Sequence, residues 1–471
     1  MPSRVDLYTR WSAEMRRSAM FRPGERVGVA VSGGPDSVLL LEFMNQFARR
    51  LGLYLAVVHF NHHLRGAESD EDERWVSNRA EALGLEFIQG EARVLQVARA
   101  KHRNLEATAR ELRYRFFFSL INQGRLSRVA TAHTANDQAE TVLMRLLRGA
   151  GTRGLGGIYP VLEGKIVRPF LNLQRSEIEA EVEKRQLEFR VDSTNRDPRF
   201  LRNRIRTELL PELAKDYNPD IVRLLKQLAD RARDDEAYLE QQARERAKAW
   251  RIHQGDEERI PVQPLLEFHP AIARRVLRQM IQTAWRQAGS VTHSHIEALL
   301  HLVSGSQSGR RLVLPGGLAA RREFDWLVIA PERASDDKGG FSYRVQVPGE
   351  VSVPEIGVIV RLKIVEPHSE EKAYNRSYGR GLDPLKVPQS LLLRNWLPGD
   401  RFRCLGSRNT RKVKELLNEL KVPLERRKLW PVLAVEQEVV WLQGFPPGSA
   451  YAATTGSRQI MVVIEPLEPR A

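Results

Sequence analysis

Residues Ser32-Gly33-Gly34-Pro35-Asp36-Ser37 place two hydroxyls, two glycines, a proline and one carboxylate directly after the apolar run Val27 to Val31. A glycine-rich turn that leaves a buried strand and opens a helix presents backbone N–H groups and the positive helix end to an anion, which makes a phosphate cradle. The stretch has no lysine, so it is not the Gly-x-x-x-x-Gly-Lys-Ser/Thr loop, and its spacing fails the Gly-x-Gly-x-x-Gly fingerprint. Phosphate would then be held by backbone donors and the hydroxyls of Ser32 and Ser37. Asp36 would repel it unless Mg²⁺ lay between them. The competing reading is a plain turn in which Asp36 or Ser32 caps the following helix.

Such a loop needs a sheet to carry it. From Arg26 to about Leu146, short β-branched runs alternate with helical patterns, the signature of βαβ units around a parallel sheet. The predicted strands are VGVAV (27–31), LYLAVVHF (53–60), LEFIQ (85–89) and RVATAH (128–133), near-continuous apolar runs suited to strands covered on both faces. Between them, SVLLLEFMNQFARRL and DEDERWVSNRAEALG carry apolar residues at three- and four-residue spacing.

The next region changes character. Ile221, Leu224, Leu225, Leu228 and Ala232 form a helical stripe, and a helix is expected from near Pro270, so about 216 to 305 reads as a helical module. Arg274, Arg275 and Arg278 on that helix suit a solvated face or RNA. From Arg311 the chain turns to strands punctuated by Pro and Gly, with HSEEKAYNRSYGRGLD as a loop or linker and EVVWLQG and RQIMVVIE as late strands. The expected fold class is α/β: a Rossmann-like parallel sheet in an N-terminal domain, a helical middle domain and an α+β C-terminal domain. The expected boundaries are 1–215, 216–385 (helical, then β-rich) and 386–471.

Further residues offer chemistry. Asp137 follows the fourth strand, at the carboxyl end where open α/β sheets place ligands. Asp137 and Glu140 also fit an Asp-x-x-Glu helix cap, and both readings stay open. His133, taken alone, is a satisfied structural histidine by default, and His62 and His63 end the second strand. His293, Ser294 and His295 lack the cysteines or clustered acids of a zinc site. Arg196, Arg199, Arg202, Arg204 and Arg206 crowd NRDPRFLRNRIR, which points to phosphate, since arginine suits planar paired recognition. Arg411, Lys412, Lys414, Arg426 and Arg427, near Trp396 and Trp430, make a second basic area in which the aromatics suit a core as well as a base.

Composition sets the outer limits. The 471 residues carry 74 Lys and Arg against 59 Asp and Glu, a net charge of +15 that favours a polyanionic partner, nucleic acid first. No apolar run approaches the roughly 18 residues of a membrane span, so no membrane partner is expected. The N-terminal stretch lacks a signal peptide's apolar core, and a cytoplasmic location is expected. Cys404 is the only cysteine, which excludes an internal disulfide and any Cys-based zinc or iron–sulfur cage.

Ser-Gly-Gly-x-Asp-Ser after the first strand resembles the pyrophosphate loop of the N-type ATP pyrophosphatases, the PP-loop superfamily. More motifs narrow the match: Asn61-His-His-Leu-Arg-Gly-Ala-Glu-Ser-Asp70, Glu106-Ala-Thr-Ala-Arg-Glu-Leu-Arg-Tyr-Arg-Phe-Phe117, the segment from Thr131 to Gly149, Arg168-Pro-Phe-Leu171, Asp192-Ser-Thr-Asn195 and Arg202-Asn-Arg-Ile-Arg206. This ordered set resembles the tRNA(Ile)-lysidine synthetase family, and Pro398-Gly-Asp-Arg401, Arg411-Lys-Val-Lys-Glu-Leu416 and Arg426-Arg427 are similar to its C-terminal domain. One position departs: His133 is followed by Thr134, where the family usually has a second histidine.

The resemblance implies an enzyme that uses ATP and Mg²⁺ to adenylate C2 of the wobble cytidine of a tRNA(Ile) with a CAU anticodon. Free L-lysine then displaces AMP to give lysidine, changing the tRNA from methionine to isoleucine identity. It implies a PP-loop catalytic domain over 1–215 and tRNA-binding domains after it. Catalytic roles fall to Asp36, His133, Asp137 and Glu140, with His133, Asp137 and Glu140 as candidate acceptors of the amine's proton. ATP contacts fall to Ser32, Gly33, Gly34, Pro35, Asp36, Ser37, His62 and Arg113, and metal to Asp36 and Asp137. tRNA contacts fall to Arg196, Arg199, Arg202, Arg204, Arg206, Arg411, Lys412 and Lys414. A homodimer is left open. The rival readings are a tRNA thiolase, which one cysteine disfavours, a non-catalytic tRNA-binding protein, which intact Ser32, Asp36 and Asp137 disfavour, and a small-metabolite synthetase, which has no need of such basic appended regions.

Overall fold

Val27 and Val29 are buried in a strand that starts a parallel sheet, and Val31, just past its end, is buried too. In the computed structural model, residues 6–190, 201–284, 291–305, 309–332, 339–366 and 380–467 are described. Arg196, Arg199, the Asp192–Asn195 motif and most of the expected linker (368–379 of 368–383) lie outside them.

The first part of the chain runs α1 (Leu7–Arg17), β1 (Arg26–Ala30), α2 (Pro35–Leu51), β2 (Tyr54–Asn61), α3 (Ala67–Ala82), β3 (Glu86–Glu91), α4 (Val94–Ala100), α5 (Leu105–Asn122), β4 (Arg128–Ala130), α6 (Ala135–Leu147), α7 (Thr152–Leu155), β5 (Val161–Leu162), β6 (Ile166–Val167) and α8 (Arg175–Lys184). The sheet order is β3-β2-β1-β4-β6-β5, parallel throughout except for the β5–β6 pair. The connections run outward in opposite directions from β1 and β4. The loops leaving the carboxyl ends of these two strands therefore flank the crevice in which open α/β sheets bind ligands.

Packing fixes β1 tightly. A Cβ on Gly28 would lie 2.6 Å from both Leu126 Cδ1 and Val58 Cγ2, so only glycine fits between them. On one face of the sheet, Trp11 and Phe170 pack against Phe43 and Phe47 of α2, all four fully buried, and Trp11 Nε1 donates to the Pro169 carbonyl at 3.0 Å. Each such aromatic contributes about 2–3 kcal/mol of burial energy. The core thus holds the root of the phosphate loop rigid.

After α8 the described chain resumes with a helix over Leu201–Arg204, π-helical turns over Ile205–Leu209 and Leu213–Tyr217, and a long helix over Ile221–Lys248. π-Turns insert a residue into the helical ladder and occur often at functional sites.

The chain divides into two compact units, Met1–Tyr238 and Leu239–Ala471. The second contains a five-stranded antiparallel sheet packed on helices Pro270–Ala284 and His293–Ser304. Its strands Ile252–Gln254 and Glu257–Pro261 fall inside the stretch expected to be helical. They are short, polar and charged, so neither periodicity marks them. The unit also has a four-stranded sheet, a three-stranded sheet and the short hairpin Arg401–Phe402 with Arg411–Lys412. Among the described residues no helix is long and apolar enough to cross a membrane.

Candidate active site

The phosphate loop begins where Val31 N donates to Val58 O at 2.9 Å. Gly33 takes φ +93°, a left-handed conformation that glycine adopts without strain. Gly34 is the N-cap of α2 and Pro35 opens the helix; no side chain caps it, so neither Asp36 nor Ser32 has the capping role. Ser37 Oγ donates to Gly34 O at 2.9 Å and accepts from Ser32 N at 3.2 Å, which draws the loop closed around its backbone. At the helix start Pro35 has no N–H and Ser37 N donates to Gly34 O at 3.1 Å, so the Gly34 and Asp36 N–H groups, which donate to no group among the described residues, are the ones available to an anion.

Asp36 sits in the first turn of α2, and its buried Oδ1 has no hydrogen-bond partner among the described residues. Burial pushes its pKa up to about 6; Arg175 opposes the shift, Asp137 adds to it and Arg206 opposes it. An orphaned carboxylate oxygen close to a second carboxylate fits Mg²⁺, which takes one or two carboxylates and completes its shell with water and phosphate. Among the described residues, no cluster of three or more His, Cys, Asp or Glu forms a protein-only cage, so the substrate's phosphates would have to complete the shell.

Asp137 stands at the third position of α6. Thr134 is the N-cap: Asp137 N donates to Thr134 Oγ1 at 3.3 Å, and Asp137 Oδ2 accepts from Thr134 N and Oγ1, both at 2.9 Å. The capping box is therefore Thr134 with Asp137, which corrects the Asp137-to-Glu140 cap weighed from the sequence. The threonine that departs from the family pattern starts the helix that carries both carboxylates.

Glu140 is fully buried one turn on. Arg202 Nε donates to Glu140 Oε2 at 2.9 Å and Nη2 to Asp137 Oδ1 at 3.1 Å. Arg206 makes the same pair of contacts, and Arg175 approaches both carboxylates at 3.7 and 3.9 Å. Although burial raises the pKa of Asp137, Arg202, His133, Arg175 and Arg206 together lower it to about 2. His133 lies beside it with Nδ1 2.9 Å from Thr131 Oγ1. Burial drives the His133 pKa well below its ordinary value; Asp137 opposes this, while Arg168, Arg110 and Arg113 reinforce it, so the ring is neutral near pH 7.

A cationic wall completes the recess. Arg110 and Arg113 lie over the Tyr114 ring, at 4.7 and 6.0 Å from its centroid, and Arg168 Nη2 donates to Tyr114 Oη at 2.9 Å. Desolvation and the neighbouring guanidinium charges lower the pKa of Arg113. No carboxylate of the described residues pairs with Arg110 or Arg113, which suits them to an incoming anion.

The structure thus gathers Asp36, His133, Asp137, Glu140, Arg113, Arg202 and Arg206, with Ser32 to Ser37 at the end of β1. His62 packs against Phe60 beyond the end of β2. Of the arginine run, Arg202 and Arg206 pair with the carboxylates, and exposed Arg204 lies 3.6 Å from Glu208. In the second unit, Arg411 pairs with Glu419, Lys412 and Lys414 are exposed, and Arg427 is buried, with Nε donating to Val422 O. Trp396 and Trp430 pack, half-buried, against a core cluster there. Sequence reasoning missed Arg175, which no motif marks, and passed over the Thr-x-x-Asp box, whose spacing was visible.

Residues 7–213 match the PP-loop domain model, 260–328 the TilS substrate binding domain and 391–464 the TilS substrate C-terminal domain. The chain is 38% identical over 439 residues to the tRNA(Ile)-lysidine synthase of Solibacter usitatus, covering 92% of this chain and 96% of the relative. It is 38% identical over 450 residues to that of Geobacter sulfurreducens, covering 94% of each. A crystal structure of a TilS C-terminal domain aligns at 24% identity with a TM-score of 0.24, covering 28% of this chain and 100% of that one.

Proposed function

Because this chain belongs to the tRNA(Ile)-lysidine synthase family, we propose that it joins the ε-amine of free L-lysine to C2 of the wobble cytidine of a tRNA(Ile) with a CAU anticodon, consuming ATP and Mg²⁺. One observation carries the reading at this site: an orphaned Asp36 oxygen and the Asp137–Glu140 pair meet where β1 and β4 end, beside an uncapped helix start.

The residues divide the work. Within Ser32 to Ser37, the backbone N–H groups of Gly34 and Asp36 at the α2 start, left without a partner among the described residues, hold the pyrophosphate end of ATP, leaving the α-phosphate open. The cytidine C2 oxygen attacks the α-phosphorus and pyrophosphate leaves. Donors already aimed at that departing charge stabilise it more as it develops. Mg²⁺ held by Asp36 and Asp137 would neutralise phosphate charge as a Lewis acid. Arg113 and Arg110, which have no carboxylate partner among the described residues, face the phosphates.

In the second step the lysine amine attacks C2 and AMP departs. The amine must be neutral to attack, and His133, Asp137 and Glu140 are the groups placed to take its proton. Neutral His133 and ionised Asp137 both start in a proton-accepting form. Exposed Arg204, Lys412 and Lys414, together with Arg196, Arg199 and Arg411, supply phosphate contacts to tRNA. Arg202 and Arg206 would join those contacts where the RNA reaches the recess. The reaction belongs in the cytoplasm, where its tRNA is, and sedimentation of the free protein tests for a homodimer.

Labelled lysine with ATP and Mg²⁺ should enter only the CAU-anticodon isoleucine tRNA, at the wobble nucleotide. Equal labelling of a methionine initiator tRNA, which has the same anticodon, would overturn the specificity.

A further inference from the structure

Arg190 ties the phosphate loop to α3. Its backbone N–H donates to the Gly33 carbonyl at 2.9 Å. Its side chain reaches α3, where Nε donates to Asp72 Oδ1 at 2.9 Å and Nη2 to Glu71 Oε2 at 3.1 Å. Asp72 is 6% exposed, and its other oxygen accepts from Arg65 Nη2. One buried carboxylate thereby anchors two arginines, one in the loop after β2 and one in the segment after α8. Asn61 braces the same loop, donating to Asp70 Oδ1 at 3.1 Å and Glu73 Oε2 at 2.9 Å while accepting from His63 N at 2.9 Å.

The contact at Gly33 has a geometric consequence. The Gly33 carbonyl and the Gly34 N–H belong to one planar trans peptide, so they point in opposite directions. Holding the carbonyl against Arg190 aims the Gly34 N–H away from Arg190. That N–H donates to no group among the described residues, and it stands at the N-cap of α2, where an anion would bind. Arg190 Cβ and Cγ and Val76 Cγ2 lie 3.5, 3.6 and 3.9 Å from the position of a Gly33 Cβ, so the glycine is packed as well as bonded.

We propose that Arg190 and Asp72 are positioning residues for nucleotide binding: they lock the Gly33–Gly34 peptide so that the Gly34 N–H meets the pyrophosphate end of ATP. The inference rests on the reading of Ser32 to Ser37 as the phosphate cradle. It also gives the motif after β2 a task, because Arg65 completes the anchorage of Asp72.

The test is MgATP affinity by calorimetry beside tRNA affinity by filter binding, in the full chain. Arg190→Ala and Asp72→Asn should each weaken MgATP binding about tenfold, the scale of one misdirected charge-assisted hydrogen bond, and leave the tRNA Kd within about twofold. Arg190→Lys, which keeps a cation near Asp72, should recover most of the loss. A parallel fall in tRNA affinity, or no recovery in Arg190→Lys, overturns the inference, because a general structural defect would produce both. The double variant Ser32→Ala/Ser37→Ala separates the layers. If it loses MgATP while Arg190→Ala and Asp72→Asn bind normally, only the positioning role fails. If it and Asp36→Ala both bind MgATP as the unaltered protein does, the cradle itself is wrong.

Discussion

Arg206 meets Glu140 edge to edge, Nε donating to Oε1 at 2.6 Å and Nη2 to Oε2 at 3.0 Å, and the same Nη2 reaches Asp137 Oδ1 at 3.1 Å. With Arg202 on the other side, Glu140 is a fully buried carboxylate between two guanidinium groups. Removing one member of a buried ionic group leaves the others charged and unpaired. Glu140→Ala should therefore cost about 3–5 kcal/mol in urea denaturation. The double variant with Arg206→Ala should cost less than the sum, with a coupling of about 1–3 kcal/mol. Additive losses would mean that the pair is not energetically linked.

Asp36 carries the opposite sign. Its folded pKa of about 6 lies above the ordinary 3.8, so the fold favours the protonated form. The associated stability is complete below pH 3.8 and is lost as pH rises through 6. Asp36→Asn should stabilise the ligand-free protein by about 1–3 kcal/mol at pH 8, with the gain vanishing near pH 4. It should also abolish adenylation. Thermal melts across that range check the sign, and a destabilised variant at pH 8 would contradict it.

The same group shapes the activity profile. Asp36 must lose its proton to hold a cation, so kcat/KM for ATP should fall about tenfold per pH unit below pH 6. Asp137, lowered to about 2, remains ionised throughout and adds no inflection. A profile from pH 5 to 8 that stays flat would remove Asp36 from metal binding.

Lys412 and Lys414 are exposed and make no ion pair among the described residues, unlike Arg411, which is held by Glu419. If both lysines contact phosphates, replacing them with alanine should reduce the slope of log K against log salt by about 2. An unchanged slope would place the RNA elsewhere.

Much of this was legible in the sequence, for identifiable reasons. The strands after Arg26 were legible as short apolar runs, and Asp137 as lying at a strand's carboxyl end. The edge strand β3 departs from burial on both faces, with only Ile88 buried, and the adjacency of β1 and β4 came from the fold alone. The phosphate loop was legible because glycine and hydroxyl chemistry is local. What escaped was long-range: nothing in the spacing says that Arg202 and Arg206 close onto Asp137 and Glu140, more than sixty positions back. Nor does it say that Arg427 turns inward to Val422 O, or that Trp396 and Trp430 pack, half-buried, against a core cluster. The Thr134 cap was readable, but Asp-x-x-Glu three positions on competed with it. Local patterns do not reveal which of two overlapping boxes closes.

Sustained pyrophosphate release is the most direct measurement. It should require ATP, Mg²⁺, lysine and the CAU-anticodon isoleucine tRNA together, and cease when any one is withheld. Continued turnover without lysine, or equal turnover with the methionine initiator tRNA, would contradict the account.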